Sequence, residues 1–384
     1  MLKKYFTAFL ICLFIIFLVI FSKSSMNAAS TALETCFNVL LPSLFPFFVM
    51  SRLLILSGSA NIIGKIFCPV VKTLFGTNQN GAIPFVLGVL SGYPVGAQCV
   101  CELYDKKQLS KSEAENLLCF CNNSGPLFVI SAVGIGLFYS REIGVMLYLV
   151  HIVSAIIVGM ILKKFSSPTI KHAKNYVNSE IYTKNIFTES VEKSVQTTLN
   201  IFGYVIFFAV VMDILISMGI TITLSGFLNF LNIPKEIIEG LLCATAEITT
   251  GIKKLSESKD FPLSYILVLC SAVIGWGGIS VHMQVKGIIS KTNLSFKKYL
   301  FGKFLHCIIS FIVSGFVFDR LTLPLETFAD ITNNTIKNNN TTSFFIILSV
   351  LILLAYISKK LSVKPPYRTG KNCSKYGPQR VNGK

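Results

Sequence analysis

Four short runs of glycine, proline and small polar residues interrupt otherwise apolar stretches, and they hold most of the chemistry this sequence offers. Ser91-Gly92-Tyr93-Pro94-Val95-Gly96 and Asn122-Asn123-Ser124-Gly125-Pro126 lie in the first half of the chain. Ala246-Glu247-Ile248-Thr249-Thr250-Gly251 and Gly275-Trp276-Gly277-Gly278-Ile279-Ser280 lie in the second. Irregular backbone at membrane depth needs partners for its N–H and C=O groups, so it persists only inside protein or along a wet cavity. The four runs are therefore expected to converge on one cavity near mid-membrane. Candidate solute-binding positions are Gly92, Tyr93, Pro94, Gly96, Asn122, Asn123, Ser124, Gly125, Glu247, Thr249, Gly251, Gly277, Gly278 and Ser280. Half-helix N-termini expose free N–H groups and a partial positive charge, which suits a carboxylate or a phosphate.

Ionisable residues within apolar segments are few, and each is a functional candidate by default. Glu247 can hydrogen-bond a substrate, take a coupling proton, or cap backbone N–H groups. Arg52 and Asp213 hold nearly equivalent places ahead of the two sets of interruptions, where they either pair with each other or snorkel from helix ends. His151 and His306 likewise repeat each other; a packing role and a proton-coupling role both fit. No nucleophile–base pair, phosphate-binding loop or metal-spaced histidine cluster stands out. Cys99-x-Cys101 and Cys119-x-Cys121 lack the usual zinc spacing. The sequence thus points away from an enzyme, with no catalytic residue, metal or cofactor expected.

The elements that must position these residues are membrane helices. Of 384 residues, 52% are hydrophobic and 14% charged, where a soluble domain carries about 25% charged residues. Spanning helices are expected at 5–21, 36–57, 142–162, 199–219, 297–318 and 343–358, with broken spanning helices at 112–139 and 263–289. Two re-entrant hairpins, 82–104 and 234–254, carry tips at 91–96 and 246–251. The fold class is an all-α polytopic membrane protein with about eight spanning helices and two hairpins. The first segment resembles a signal peptide, but its apolar run exceeds the ~7–15 residues of a signal core, so it reads as a retained helix.

The net charge of +17 does not indicate nucleic acid. Its lysines sit in short loops, as positive-inside bias requires, and place both termini in the cytoplasm. Residues 22–35 then form an exterior loop, and a loop holding Lys65 and Lys72 lies inside. The division is an N-terminal helix and loop (1–35), a first repeat (36–162), a linker and amphipathic lead-in (163–198), a second repeat (199–320), a polar loop and last helix (321–358) and a basic, disordered tail (359–384). The linker carries Lys171, Lys174 and Lys184, and the tail eight basic residues and no acid. Corresponding features recur in the same order, and the second repeat starts from the opposite side of the membrane. Paired helix breaks in inverted repeats are the sign of a secondary transporter. Expected partners are membrane lipid and a small anionic solute; a homo-oligomer is left open.

The runs LLPSLFPFFVMSRLL, GVLSGYPVGA, CNNSGPLFVISAVG and AEITTG resemble the YlbJ-type sporulation integral membrane proteins over about residues 36–320. That family has gate domains of the nucleoside-recognition kind and is distantly similar to concentrative nucleoside transporters. The resemblance implies a multi-pass protein of the outer forespore membrane that moves dipicolinate from the mother cell. It also implies that Gly92-Tyr93-Pro94 and Gly96 form one gate tip, and Glu247, Thr249 and Gly251 the other. A charged Glu247 would repel such a dianion unless it is protonated, binds a coupling cation or points away. A nucleoside-type carrier of the same fold and a non-transporting sporulation scaffold are the alternatives.

Overall fold

The computed structural model describes residues 2–77, 79–164, 185–228, 233–258 and 261–320. The expected helix at 343–358, the polar loop before it, the basic tail and most of the linker, with Lys171, Lys174 and Lys184, lie outside the described residues. Every regular element among the described residues is helical. Among the described residues, five helices are long and apolar enough to cross a membrane: Ser22–Leu56, Arg141–Lys164, Ile186–Ser217, Leu263–Ile289 and Phe296–Phe318. Of the other expected spans, the first is a shorter apolar helix, Lys4–Ile20, and 112–139 is divided, leaving Leu127–Phe138 as its apolar piece.

The N-terminal region is α1 (Leu2–Ile20) followed by α2 (Ser22–Thr35). A π-helical turn, Cys36–Leu40, carries α2 into α3 (Leu41–Leu56). Residues 22–35 are thus helix, not the expected loop. They hold no glycine or proline to stop a helix, and Ser25 and Ala32 are buried where α2 packs on α10 (Ile186–Ser217). The expected loop around Lys65 and Lys72 is also a helix, α4 (Ala60–Phe75). Its apolar residues follow a helical period, with Val71, Leu74 and Phe75 buried. Gly76, at φ +70°, ends it, and Lys163 Nζ donates to the Thr73 carbonyl at 2.6 Å, a cation at a helix C-terminus.

Next come a helical hairpin, α5 (Gln79–Ser91) and α6 (Val95–Asp105), and then α7 (Lys111–Cys121). Ser110 and Glu113 form a capping box at the start of α7, with Glu113 N–H bonded to Ser110 Oγ at 3.3 Å. After the break at 122–126 the chain continues as a π helix, Leu127–Ile135, into α8 (Gly136–Phe138) and α9 (Arg141–Lys164). Downstream of α10 lie α11 (Ile220–Leu228), a second hairpin of α12 (Lys235–Ala246) and α13 (Ile248–Ser256), and α14 (Leu263–Trp276) with α15 (Gly278–Ile289). The last described helix is α16 (Phe296–Arg320). It packs on α14, α7 and α9. Helix α10 begins thirteen residues before the expected 199, because 186–198 places Ser190, Ser194 and Thr198 on one buried face.

Helix α16 shows why the assembly needs a membrane. Phe301, Phe304, Phe311 and Phe316 stand exposed on its outer side, while Lys303, His306, Ser310 and Ser314 are fully buried. Apolar side chains face out and polar ones face in, the arrangement favoured where lipid is the solvent.

Candidate functional site

The first hairpin is seated by glycines. Gly88 on α5 and Gly96 on α6 straddle the Cys121 carbonyl, and a Cβ on either would lie 1.7 or 1.9 Å from its oxygen. Gly92 turns the tip at φ +81°, open to glycine and strained for other residues. A Cβ there would lie 2.8 Å from the Gly125 nitrogen. The tip and the 122–126 break therefore meet backbone to backbone. The freed backbone groups of that break find side-chain partners on other helices. Ser124 N–H donates to His151 Nε2 at 3.0 Å, and Lys303 Nζ donates to the Asn122 carbonyl at 3.2 Å. Asn123 Nδ2 donates to the Phe120 carbonyl at 2.8 Å.

The second hairpin turns at a single extended residue, Glu247, at φ −142° and ψ 120°. Its carboxylate accepts from Thr249 N–H at 3.0 Å and Thr250 N–H at 2.7 Å, and the residue is 1% exposed. Of the roles open to Glu247, the structure displays the cap. Both carboxyl oxygens are turned onto the N–H groups at the N-terminus of α13. Gly277 and Gly278, at φ +90° and +80°, make the break between α14 and α15. A Cβ on Gly278 would lie 3.1 Å from the Ala246 carbonyl, so this break rests on the second tip. Tyr93 closes the circuit: its hydroxyl donates to the Ile274 carbonyl at 2.9 Å, next to the same break. All four interruptions are thus contiguous.

They enclose little space. A cavity of about 50 Å³ is lined by Tyr93 of the first tip, Ser124 and Gly125 of the first break, Glu247 and Thr249 of the second tip, and Ser280 beyond the second break. Leu40, Leu44, Ile201, Val205 and Gln284 complete most of the wall. Two larger voids flank it. One, of about 510 Å³, shares Phe128, Val205, Glu247 and Thr249 with it and extends past Asp213 to Asn27, Lys253 and Lys254. The other, of about 500 Å³, shares Ile201 and Gln284 and extends past Pro94 to Lys193 and Lys291. Helix α10 lines all three: Lys193 to Tyr204 on one void, Ile201 and Val205 on the small cavity, Val205 to Ile216 on the other void.

Several expected residues support this site without lining it. Asn122 and Asn123 sit behind the wall, with each side-chain carbonyl oxygen buried and unpartnered. Gly251 packs on the Ala244 backbone inside the second hairpin. Arg52 and Asp213 do not pair: Arg52 bonds to Glu102, and Asp213 accepts from Ser24 Oγ at 2.7 Å. Each had a nearer partner, on α6 and α2. His151 and His306 stack with ring centroids 4.6 Å apart, and His306 Nε2 donates to the His151 carbonyl at 3.0 Å. Sequence reasoning missed Lys303, Tyr299, His282 and Gln284. The available signal was spacing: Lys303 precedes His306 by three residues and so shares its helix face, but it reads as part of the basic end with Lys297 and Lys298. No group of three or more metal-ligating side chains occurs among the described residues.

No protein-family model and no solved structure matches the chain. It is similar to the sporulation integral membrane protein YlbJ of Bacillus subtilis (strain 168), with 31% identity over 306 residues that cover 74% of this chain and 75% of the relative. With that identity and coverage, the chain belongs to the YlbJ family of sporulation integral membrane proteins.

Proposed function

We propose that this protein is a membrane transporter of a small anionic metabolite, dipicolinate by family resemblance, moved across the outer forespore membrane by alternating access. The observation that carries the reading is the series of void, constriction and void along α10. A cavity of about 50 Å³ is far below the roughly 300–1,000 Å³ of a small-molecule site. In this reading the conformation is closed at its centre, and a solute occupies it only when the hairpin tips part. The four breaks put irregular backbone where one side can loosen while the other stays sealed, as in transporters built on inverted repeats. Residues 36–162 and 199–320 would be those repeats, with both termini cytoplasmic. Glu247, turned onto its own helix N-terminus, presents less charge to an anion than a free carboxylate would.

Dipicolinate content of spores tests the proposal in the cell. Ser280→Trp, placed in the wall of the constriction, should abolish accumulation at normal protein level. Normal content with that residue in place would refute transport through this path. Tracer uptake of dipicolinate against a nucleoside panel separates the anion reading from a nucleoside-type carrier.

A further inference from the structure

Lys303 lies fully buried in α16, and no carboxylate pairs with it among the described residues. Its Nζ donates to the Asn122 carbonyl at 3.2 Å and lies 3.3 Å from His306 Nδ1. It also stands 5.4 Å from the centroid of the Tyr93 ring. The surrounding groups supply dipoles and no negative charge. His306 uses Nε2–H toward the His151 carbonyl, leaving Nδ1 facing Lys303 Nζ. His151 accepts from Ser124 N–H through Nε2, so that hydrogen bond assigns its ring as neutral. Tyr299 and Cys307 lie on the same helix, and the packed elements add Cys119 on α7, beside Tyr299, and His282 on α15, whose Nδ1 is 3.1 Å from the Tyr299 hydroxyl. A buried cation with no counter-ion is costly to maintain.

Packing alone does not require that charge. Three residues before His151, at the position matching Lys303, stands Tyr148, whose hydroxyl donates to the Val89 carbonyl at 2.9 Å. A neutral donor serves there; only the second copy carries a lysine. The neighbourhood is also polar beyond its internal bonds. Asn122 Oδ1, Asn123 Oδ1, His151 Nδ1 and His282 Nε2 are buried without partners; groups so placed call for a ligand or water. Tyr93 adjoins both Lys303 and the central cavity. Tyr93 lines that cavity, faces Lys303 with its ring and is held by the Ile274 carbonyl.

We propose that Lys303 is the counter-charge for a carboxylate of the carried anion, covered by Tyr93 in the closed form and uncovered when the Gly92–Pro94 tip leaves the α14–α15 break. This rests on the transport reading above and gives it a recognition residue. A carboxylate arriving from the cavity would take over donors of Lys303 that the closed form directs to Asn122 and His306. It would thereby give Lys303 the counter-ion that its buried site lacks.

The test is equilibrium binding of dipicolinate, picolinate and neutral dipicolinamide to the purified full-length protein. Lys303→Gln should weaken dipicolinate about 100-fold, the scale of truncating one partner of a buried charge pair, while changing dipicolinamide less than about threefold. Lys303→Arg should restore dipicolinate to within about tenfold of wild type. Unchanged dipicolinate affinity in Lys303→Gln, or an equal loss of all three ligands, overturns the assignment. Should Lys303→Gln not fold, the wild-type series decides: dipicolinamide binding as tightly as dipicolinate also overturns it. A wild-type protein that binds none of the three sinks the transport reading itself, a result distinct from either of those.

Discussion

Replacing Gly96 by alanine puts a methyl group where the Cys121 carbonyl oxygen now sits. The added Cβ would lie 1.9 Å from that oxygen, against the 3.0 Å that real contacts require. One partner must therefore move by at least the difference, 1.1 Å. The obstructing atom is backbone at the end of α7, so no side-chain rotation relieves it. Nor can α6 back away cheaply, since Gly88 faces the same oxygen and Gly92 is pressed on Gly125. Overpacking of this kind costs about 1–3 kcal/mol, and backbone obstruction puts it at the upper end. Gly203→Ala on α10 is the control: nothing lies within 4 Å of its added Cβ, and helix propensity alone favours alanine there by up to about 1 kcal/mol. Heating the detergent-solubilised proteins in steps and reading the monodisperse fraction by size-exclusion chromatography gives both midpoints. Gly96→Ala should melt several degrees below Gly203→Ala. Coincident midpoints would refute the claim that glycine contacts seat the hairpin on the broken helix.

Glu247→Ala should destabilise by about 1–2 kcal/mol through loss of the cap on Thr249 and Thr250 N–H, with Glu247→Gln intermediate because it keeps one acceptor; equal thermal midpoints for all three would deny the capping role. Tyr93→Phe removes the bond to the Ile274 carbonyl, worth about 0.5–1.5 kcal/mol net, and keeps the ring over Lys303. If that bond holds the closed form, the apparent affinity for dipicolinate should improve by up to about tenfold; a weaker or unchanged affinity in a binding titration counts against it.

The interruptions were readable because glycine, proline and asparagine mark broken helices whatever surrounds them. Gly92, Gly125 and Gly277 stand where chain segments meet or turn. Helix α2 was hidden by polarity, since Ser, Thr, Asn and Lys suggest a loop although none of them stops a helix, and α4 by Gly64 and Pro69, which read as breaks yet lie inside the helix. The early start of α10 was masked the same way, with Glu189 and Lys193 forming an i,i+4 ion pair on a segment that reads as linker. Within the site, residue type did not fix orientation. Glu247 suited three roles, and only the positions of Thr249 and Thr250 N–H select the cap. Arg52 and Asp213 matched by position, but their partners came from α6 and α2, which no repeat alignment supplies. Lys303 was lost among neighbouring lysines although its burial sets it apart.

The central claim, carriage of a small anion through the α10 constriction, is tested most directly by exchange in liposomes containing the full-length protein. Vesicles preloaded with unlabelled dipicolinate should take up labelled dipicolinate saturably, with excess dipicolinate competing and uridine not competing, and Ser280→Trp should reduce uptake to that of protein-free vesicles. Wild-type uptake indistinguishable from protein-free vesicles, or equal uptake by Ser280→Trp, would contradict it.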